Sequence, residues 1–300
     1  MSLQPLRLLL FRMKPMNELA SAKVVILGLG LMGGSLAMAL RGRCALLLGV
    51  DPDEETRRLA LRENVVERVS ADPAELFPAA DIVILAAPVR AILSLLDDLP
   101  AWHPGIAIVL DLGSTKREIV ERMDRLPGRF DPLGGHPMCG KERGSLINAD
   151  ARLFQDSSFA LSSLPRTTMQ AKNMAEQIVQ AVGAHSLWID AEIHDRWVAA
   201  TSHLPYLISN TLAFSTLDEA RPLVGPGFRS TARLAPSPAQ MMIDILLTNR
   251  GNVLQALREF QQDLAEIARL LENQDEVAMR IRFAAGAERY ERLVKQEKMA

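Results

Sequence analysis

The segment Gly134-Gly135-His136-Pro137-Met138-Cys139-Gly140-Lys141-Glu142 holds a histidine between glycines and a proline. Such neighbours give an imidazole little to pack on, and the segment reads as a glycine-rich loop. A neutral imidazole is a suitable base for a hydroxyl proton near neutral pH. A lone histidine is more often structural, but this one follows a nucleotide-binding pattern upstream, which favours catalysis. Cys139 is set aside as a nucleophile because no base stands in register with it. Upstream, Asp111-Leu112-Gly113-Ser114-Thr115-Lys116 leaves an apolar run. Thr115 with Glu118 fits a capping box for the next helix. Ser114 then points its hydroxyl into a crevice, unless Ser114 is itself the cap. Downstream, Gly227-Phe228-Arg229-Ser230-Thr231-Ala232-Arg233 reads as a loop with two guanidiniums suited to a carboxylate. Spacing alone does not choose between Arg229 and Arg233. Ser202-His203-Leu204-Pro205-Tyr206 falls where a proline interrupts a helix, a natural wall for a cleft. The alternative for His203 is a buried, satisfied side chain. Asp195, after His194, either sits as a charge at its helix N-terminus or pairs with a cation in the cleft.

These groups need something to act with. Gly28-Leu29-Gly30-Leu31-Met32-Gly33 follows a strand and opens a helix. Gly28 permits a tight turn, Gly30 admits a pyrophosphate against backbone, and Gly33 allows close helix–strand contact. The helix N-terminus offers free N–H groups and a positive dipole end to the phosphates. Asp51, at the end of the next strand, can accept from both ribose hydroxyls and would repel a 2′-phosphate, so the cofactor expected is NAD rather than NADP. Arg57 and Arg58 argue the other way, and Asp51 could instead be a turn residue before Pro52. Ala87 and Pro88 leave a further strand at the same edge, either to let the cofactor lie flat against backbone or merely to end the strand.

The elements that position these residues begin at Lys23. Strands are expected at Lys23–Leu27, Leu46–Val50, Ile82–Ala86, Ile106–Leu110, Phe159–Leu164 and His185–Ile189, with helices at Ser35–Leu40, Thr56–Glu63 and Thr168–Val182. Short apolar strands alternating with helices predict a parallel sheet covered on both faces. After residue 190 strand signals stop. A helix from Trp197 to Leu217 kinks at Pro205, a Pro/Gly-rich loop runs from Arg221 to Pro238, and Ala239–Thr248 is helical with a stop at Asn249–Gly251. Leu254, Leu257, Phe260, Leu264, Ile267 and Leu271 mark a long amphipathic helix, and Val277 and Ile281 begin another. The expected fold is therefore an α/β Rossmann-type nucleotide-binding domain at 23–190 followed by an all-α domain at 191–300. The apolar stripes favour a homodimer through the helices, with packing inside one chain as the alternative. Residues 1–22 read as a loose tail.

At 300 residues, 48% hydrophobic and 23% charged, the chain has material for two ordinary globular domains. A net charge of −2 gives no electrostatic reason to bind nucleic acid or an anionic membrane. Two separated cysteines, Cys44 and Cys139, and scattered histidines point to a reducing compartment, the cytoplasm, and to no metal site. No apolar run is long enough to span a bilayer, and Leu6–Phe11 lacks the features of a signal peptide.

Together the motifs GLGLMGGS (28–35), DLGSTK (111–116), GGHPMCGKE (134–142), HDR (194–196), SHLP (202–205) and the Gly227–Arg233 loop resemble the prephenate/arogenate dehydrogenase family. The resemblance covers residues 23 to about 245. It implies a nucleotide-binding domain, a helical domain forming an intertwined dimer, and NAD-dependent oxidative decarboxylation of prephenate to 4-hydroxyphenylpyruvate, or of arogenate to tyrosine. By the same resemblance His136 accepts the ring-hydroxyl proton, Ser114 orients histidine and hydroxyl, Arg233 binds a substrate carboxylate and His203 lines the pocket. Tyr206 stands where several relatives have a second histidine, and Lys141 where many have Ser or Thr. Lys141, Glu142 and Tyr206 are thus expected near the substrate, and the first and last leave open the choice between keto acid and amino acid. The chain offers no room for a fused mutase or regulatory domain, so any tyrosine feedback would act at the active site. A 3-hydroxyacid dehydrogenase shares the glycine turn but relies on a lysine in a KxxNN-like helix, which is not found here. A non-catalytic NAD sensor would not need His136, Ser114 and Arg233 together.

Overall fold

The structure, a computed structural model, describes residues 18–141 and 144–294. In chain order it contains β1 (Lys23–Leu27), α1 (Leu31–Leu40), β2 (Leu46–Val50), α2 (Glu54–Arg62), β3 (Arg68–Ser70), α3 (Pro73–Leu76), β4 (Ile82–Leu85), α4 (Val89–Trp102), β5 (Ala107–Asp111), α5 (Arg117–Asp124) and β6 (Phe130–Pro137). Then come β7 (Ser158–Ser163), α6 (Met169–Ala181), β8 (His185–Trp188), α7 (Ala191–Val198), α8 (Leu204–Ser215), α9 (Pro226–Thr231), α10 (Ala239–Thr248), α11 (Arg250–Glu272) and α12 (Glu276–Val294).

The strands form one sheet in the order β3-β2-β1-β4-β5-β6-β7-β8, parallel except where β7 runs antiparallel to β6. Of the central strands, β1, β4 and β5 are apolar except at their ends, Lys23 and Asp111, because both faces are covered. In β1, Val24 and Ile26 face a cluster with Leu36, Leu40, Met174 and Ile178 from α1 and α6. Val25 and Leu27 face the opposite cluster, with Ile92 and Leu96 of α4, Ile119 and Met123 of α5, and Met242 and Ile245 of α10. The second cluster shows that helices beyond residue 190 help to cover the sheet. By internal contacts one compact unit runs to Asn249 and a second begins at Arg250. The second unit contains α11 and α12, joined within it by an ion pair between Arg282 and Asp263 at 2.8 Å.

Several expectations are corrected. Of the expected tail only residues 18–22 are described, and they are packed rather than loose: Leu19 and Ala22 are buried, and the Leu19 N–H donates to Gln177. The expectation for Leu6–Phe11 lies outside the described residues. The segment around His136 is not a loop but β6, an interior strand with β5 on one side and β7 on the other. Its glycines signal closeness rather than turning, since a Cβ on Gly135 would lie 2.6 Å from the Asp111 carbonyl oxygen. β3 carries no clear apolar signal and was not anticipated. The Gly227–Arg233 segment is not an open loop either, because Pro226–Thr231 forms α9, with Pro226 in its first turn where no N–H is needed. The helix stop holds only at Asn249, and Gly251 lies inside α11. The kink expected at Pro205 is realised as a π-helical turn, Ala199–His203, between α7 and α8. Extra-wide turns of this kind reorient side chains within a continuous helix.

Candidate active site

The carboxyl edge of the sheet carries two different constructions. The first is the β1–α1 turn. Gly28 has φ +92°, and a Cβ there would lie 2.4 Å from the Ala86 carbonyl oxygen of the neighbouring strand exit. A Cβ on Gly30 would meet nothing within 4 Å, so the turn opens onto free space at the N-terminus of α1. Leu29, Leu31 and Gly33 are buried beneath it and Met32 is half-buried. Backbone N–H groups facing such a space fit a dinucleotide pyrophosphate. Asp51 closes the turn, because its Oδ2 accepts the Leu29 N–H at 2.7 Å and its Oδ1 the Asp53 N–H at 2.9 Å. Each oxygen keeps a lone pair for a ribose hydroxyl. Arg57 donates to the carbonyls of Asp51 and Pro52, at 2.9 and 2.7 Å, and Arg58 pairs with Glu54 at 2.5 Å. Both guanidiniums are thus committed to their own helix and turn. Ala87 is half-buried and Pro88 caps α4 at the same edge.

The second construction surrounds His136. Asp111, the last residue of β5, and Lys116 form an ion pair with no exposure to solvent. Lys116 Nζ also donates to the Gly135 carbonyl at 2.7 Å, and Asp111 Oδ1 accepts the Gly135 N–H at 3.1 Å. The pair therefore grips both backbone groups of the residue before His136. Burial pushes the Asp111 carboxyl up and the Lys116 ammonium down, each resisted by its partner. A pair so enclosed is costly to break from one side.

His136 Nδ1 lies 2.9 Å from His194 Nε2, and His194 Nδ1 lies 2.8 Å from Asp195 Oδ1. Both His194 and Asp195 are buried on α7. The Asp195 carboxylate also accepts the N–H groups of Lys116 and Arg117, at 2.7 and 3.0 Å. These are the first N–H groups of α5, so Asp195 caps a helix 78 residues earlier in the chain. The capping box expected of Thr115 is not formed, because the Thr115 hydroxyl bonds Thr248 at 3.0 Å instead. Of the two earlier readings of Asp195, the helix-dipole one is right in kind but applies to α5 rather than α7. Ser114 is half-buried on the turn between β5 and α5.

His203, at the end of the π-helical turn, is buried, and its Nδ1 lies 3.3 Å from Asn249 Nδ2. Asn249 Nδ2 also donates to the Asp195 main-chain carbonyl at 2.6 Å. Burial first, then the charges of His194, Lys116 and His203, hold His136 well below the ordinary imidazole range. Burial pushes His203 down to about 4, with Asp195 opposing and His194 adding to the shift. Both imidazoles are therefore neutral at pH 7.

The remaining expected residues are placed differently. Tyr206 packs half-buried against the cluster containing Met242 and Ile245. Lys141 donates to the Asn148 carbonyl at 2.9 Å and lies 3.8 Å from Asp150, turned into its own loop. Arg229 lies within α9 and Arg233 just beyond it, both exposed, and Ser209 of α8 bonds the Thr231 carbonyl at 2.6 Å to fix α9. Glu142 lies outside the described residues. Sequence reasoning did not single out His194, Asp111, Lys116 or Asn249. A His–Asp pair near the start of a helix was the available signal, whereas Lys116 stands between Thr115 and Arg117 and Asn249 looked like a helix stop and nothing more.

Comparison with known proteins adds the remaining findings. A family model described as "Prephenate dehydrogenase, nucleotide-binding domain" matches residues 36–188, and one described as "Prephenate dehydrogenase, dimerization domain" matches 190–285. The prephenate dehydrogenase of Bacillus subtilis is 31% identical over 276 residues, which are 87% of this chain and 72% of that one. The Aquifex aeolicus prephenate dehydrogenase, solved in complex with hydroxyphenyl propionate and NAD+, superposes with TM-score 0.83 at 27% identity over 91% of this chain and 99% of that one. The Synechocystis arogenate dehydrogenase superposes with TM-score 0.79 at 27% identity, over 91% of this chain and 100% of that one.

Proposed function

Because the chain belongs to the prephenate dehydrogenase family, we propose that it carries out the NAD-dependent oxidative decarboxylation of prephenate to 4-hydroxyphenylpyruvate, with CO2 and NADH as the other products. The observation that carries this reading is the neutral, half-buried His136 at the carboxyl edge of a dinucleotide-binding sheet. NAD, when bound along the Gly28–Gly33 turn and Asp51, supplies the hydride acceptor. His136 removes the ring-hydroxyl proton as the carbon beneath it is oxidised, the O–H bond breaking and an N–H bond forming. The imidazolium returns that proton to the ring oxygen when the C–C bond to the carboxylate breaks and its electrons complete the aromatic ring. Ser114 orients the hydroxyl, Arg233 takes a substrate carboxylate, and His203 lines the pocket. Lys141, Glu142 and Tyr206 lie toward the substrate's side chain in this reading, with Ala87 and Pro88 beside the cofactor.

The division near residue 190 between a cofactor half and a substrate half belongs to the same reading. So does a homodimer through the helical half, supported by exposed Leu254, Leu264, Leu271, Val277 and Ile281 on α11 and α12 and by the description of the second matching family model. Among the described residues no helix is long and apolar enough to cross a membrane. The free cysteines suit a cytoplasmic enzyme. The test is NADH formation by the purified chain with NAD and, separately, prephenate or arogenate. Turnover of prephenate is expected to exceed that of arogenate. The reverse ratio would reassign the substrate, and turnover of neither would overturn the reading.

A further inference from the structure

Asp195 touches both histidine networks, once through its side chain and once through its backbone. Its carboxylate oxygens accept two N–H groups of α5, and Oδ1 takes a further hydrogen from His194 Nδ1. With its proton on Nδ1, the His194 imidazole presents a lone pair at Nε2. That lone pair must receive the proton on His136 Nδ1, which leaves His136 Nε2 bare. The second network runs through Asn249. A main-chain carbonyl only accepts, so the Asn249 atom 2.6 Å from the Asp195 oxygen is the amide nitrogen. The second hydrogen of that nitrogen is directed to His203 Nδ1. His203 must therefore meet it with a lone pair and carry its own proton on Nε2.

We propose that Asp195, through His194 on one side and Asn249 on the other, holds His136 and His203 in opposite neutral tautomers, His136 as an acceptor at Nε2 and His203 as a donor at Nε2. The two rings then do unlike work on one anionic substrate. His136 can only take a hydrogen, from the ring hydroxyl. His203 can only give one, to a carboxylate or keto oxygen. Asp195, His194 and Asn249 are positioning residues that act through these rings. The substrate-facing part of the inference rests on the functional reading above, whereas the tautomers do not.

The chain contains five histidines, few enough to assign by single replacements. Long-range proton–nitrogen correlation spectra of the 15N-histidine-labelled full chain at neutral pH, without ligand, should show His136 protonated on Nδ1 and His203 on Nε2. The same tautomer on both rings would overturn the proposal. In turnover, His194→Phe should lower kcat by about a hundredfold with KM little changed, since the base loses its orientation. His194→Gln restores an acceptor oxygen for His136 Nδ1 and should recover about tenfold of that loss, the worth of one well-made hydrogen bond. Asn249→Ala should raise KM by about tenfold with kcat nearly kept, because a substrate contact is released. Equal effects of His194→Phe and Asn249→Ala on the same parameter would also overturn the proposal. Opposite tautomers in a chain that turns over neither prephenate nor arogenate would uphold it and remove the functional reading instead.

Discussion

At the β1–α1 turn the binding groups are backbone N–H groups at the start of α1, with one carboxylate, Asp51, closing the turn 22 residues beyond Leu29. At His136 the groups are side chains, and their partners lie 58 and 79 residues away, from β5, the turn after it, β6, α7 and α10. The first construction binds an anion with geometry that a few glycines make available. The second sets the protonation of a ring, which needs a dry enclosure, a paired charge beneath it and a hydrogen-bond partner on each side. Holding a phosphate tolerates local motion, whereas holding a ring in one tautomer depends on its hydrogen-bond partners staying in place. The two should therefore fail separately.

The largest separation should come from His136→Asn. Loss of the base should lower kcat by about 10²- to 10⁴-fold, while NAD affinity, measured by fluorescence or calorimetry, stays at its wild-type value. A matched fall in NAD affinity would show that the two constructions are one. Next comes Lys116→Met, which strands the Asp111 carboxylate without its cation. A buried pair broken on one side costs about 3–5 kcal/mol, readable as a lower urea midpoint. An unchanged midpoint would mean that the enclosure around Asp111 is not dry. Gly28→Ala forces a side chain into a left-handed turn and against the Ala86 carbonyl oxygen. The conformational strain alone is about 1–2 kcal/mol, so NAD binding should weaken by about tenfold or more while the histidine tautomers stay as they are.

The smallest effect is in pH. His136 sits well below the ordinary imidazole value of 6.5, mainly through burial and then through His194, Lys116 and His203. The rate should be flat through pH 6.5 and fall only as the pH drops through the depressed value, and His136→Asn should lack that limb. Stability moves in the same direction. Below pH 6.5 the unfolded chain protonates His203 while the folded chain resists until about 4. Folding free energy is therefore lost as pH falls across that window and is fully present above it. Chemical denaturation at pH 7 and pH 5 measures the difference, and equal stability would show that His203 is not enclosed.

The same contrast explains what could be read from sequence. The cradle was legible because a strand, a glycine turn, a helix and an acidic residue follow one another within one βαβ unit, each with its own local signal. His136 was legible as a residue but not as a strand residue, since Pro132, Gly134, Gly135 and Pro137 look like breakers until β5 and Lys116 are seen crowding the backbone. Lys116 and Asp111 gave no signal as a pair because nothing in their spacing announces that both will be fully buried. Thr115 satisfied a local capping rule, yet a carboxylate from a distant helix met the same need. Asn249 obeyed a helix-stop rule and at the same time holds His203. The π-helical turn was legible only as a disturbance near Pro205.

The distant capping of α5 also bears on how the chain comes into being. The glycine turn, β2 and Asp51 can close within the first stretch to leave a ribosome, so an emerging chain could hold dinucleotide early. The partners that tune His136 are translated later, His194 and Asp195 first and Asn249 more than 50 residues after them. Because loop closure over such separations is slow and depends on the remainder of the fold, competence for proton transfer follows closure of the glycine turn. A product halted before residue 194 would lack every side chain that sets the His136 ring, so proton transfer waits for the chain that carries His194 and Asp195.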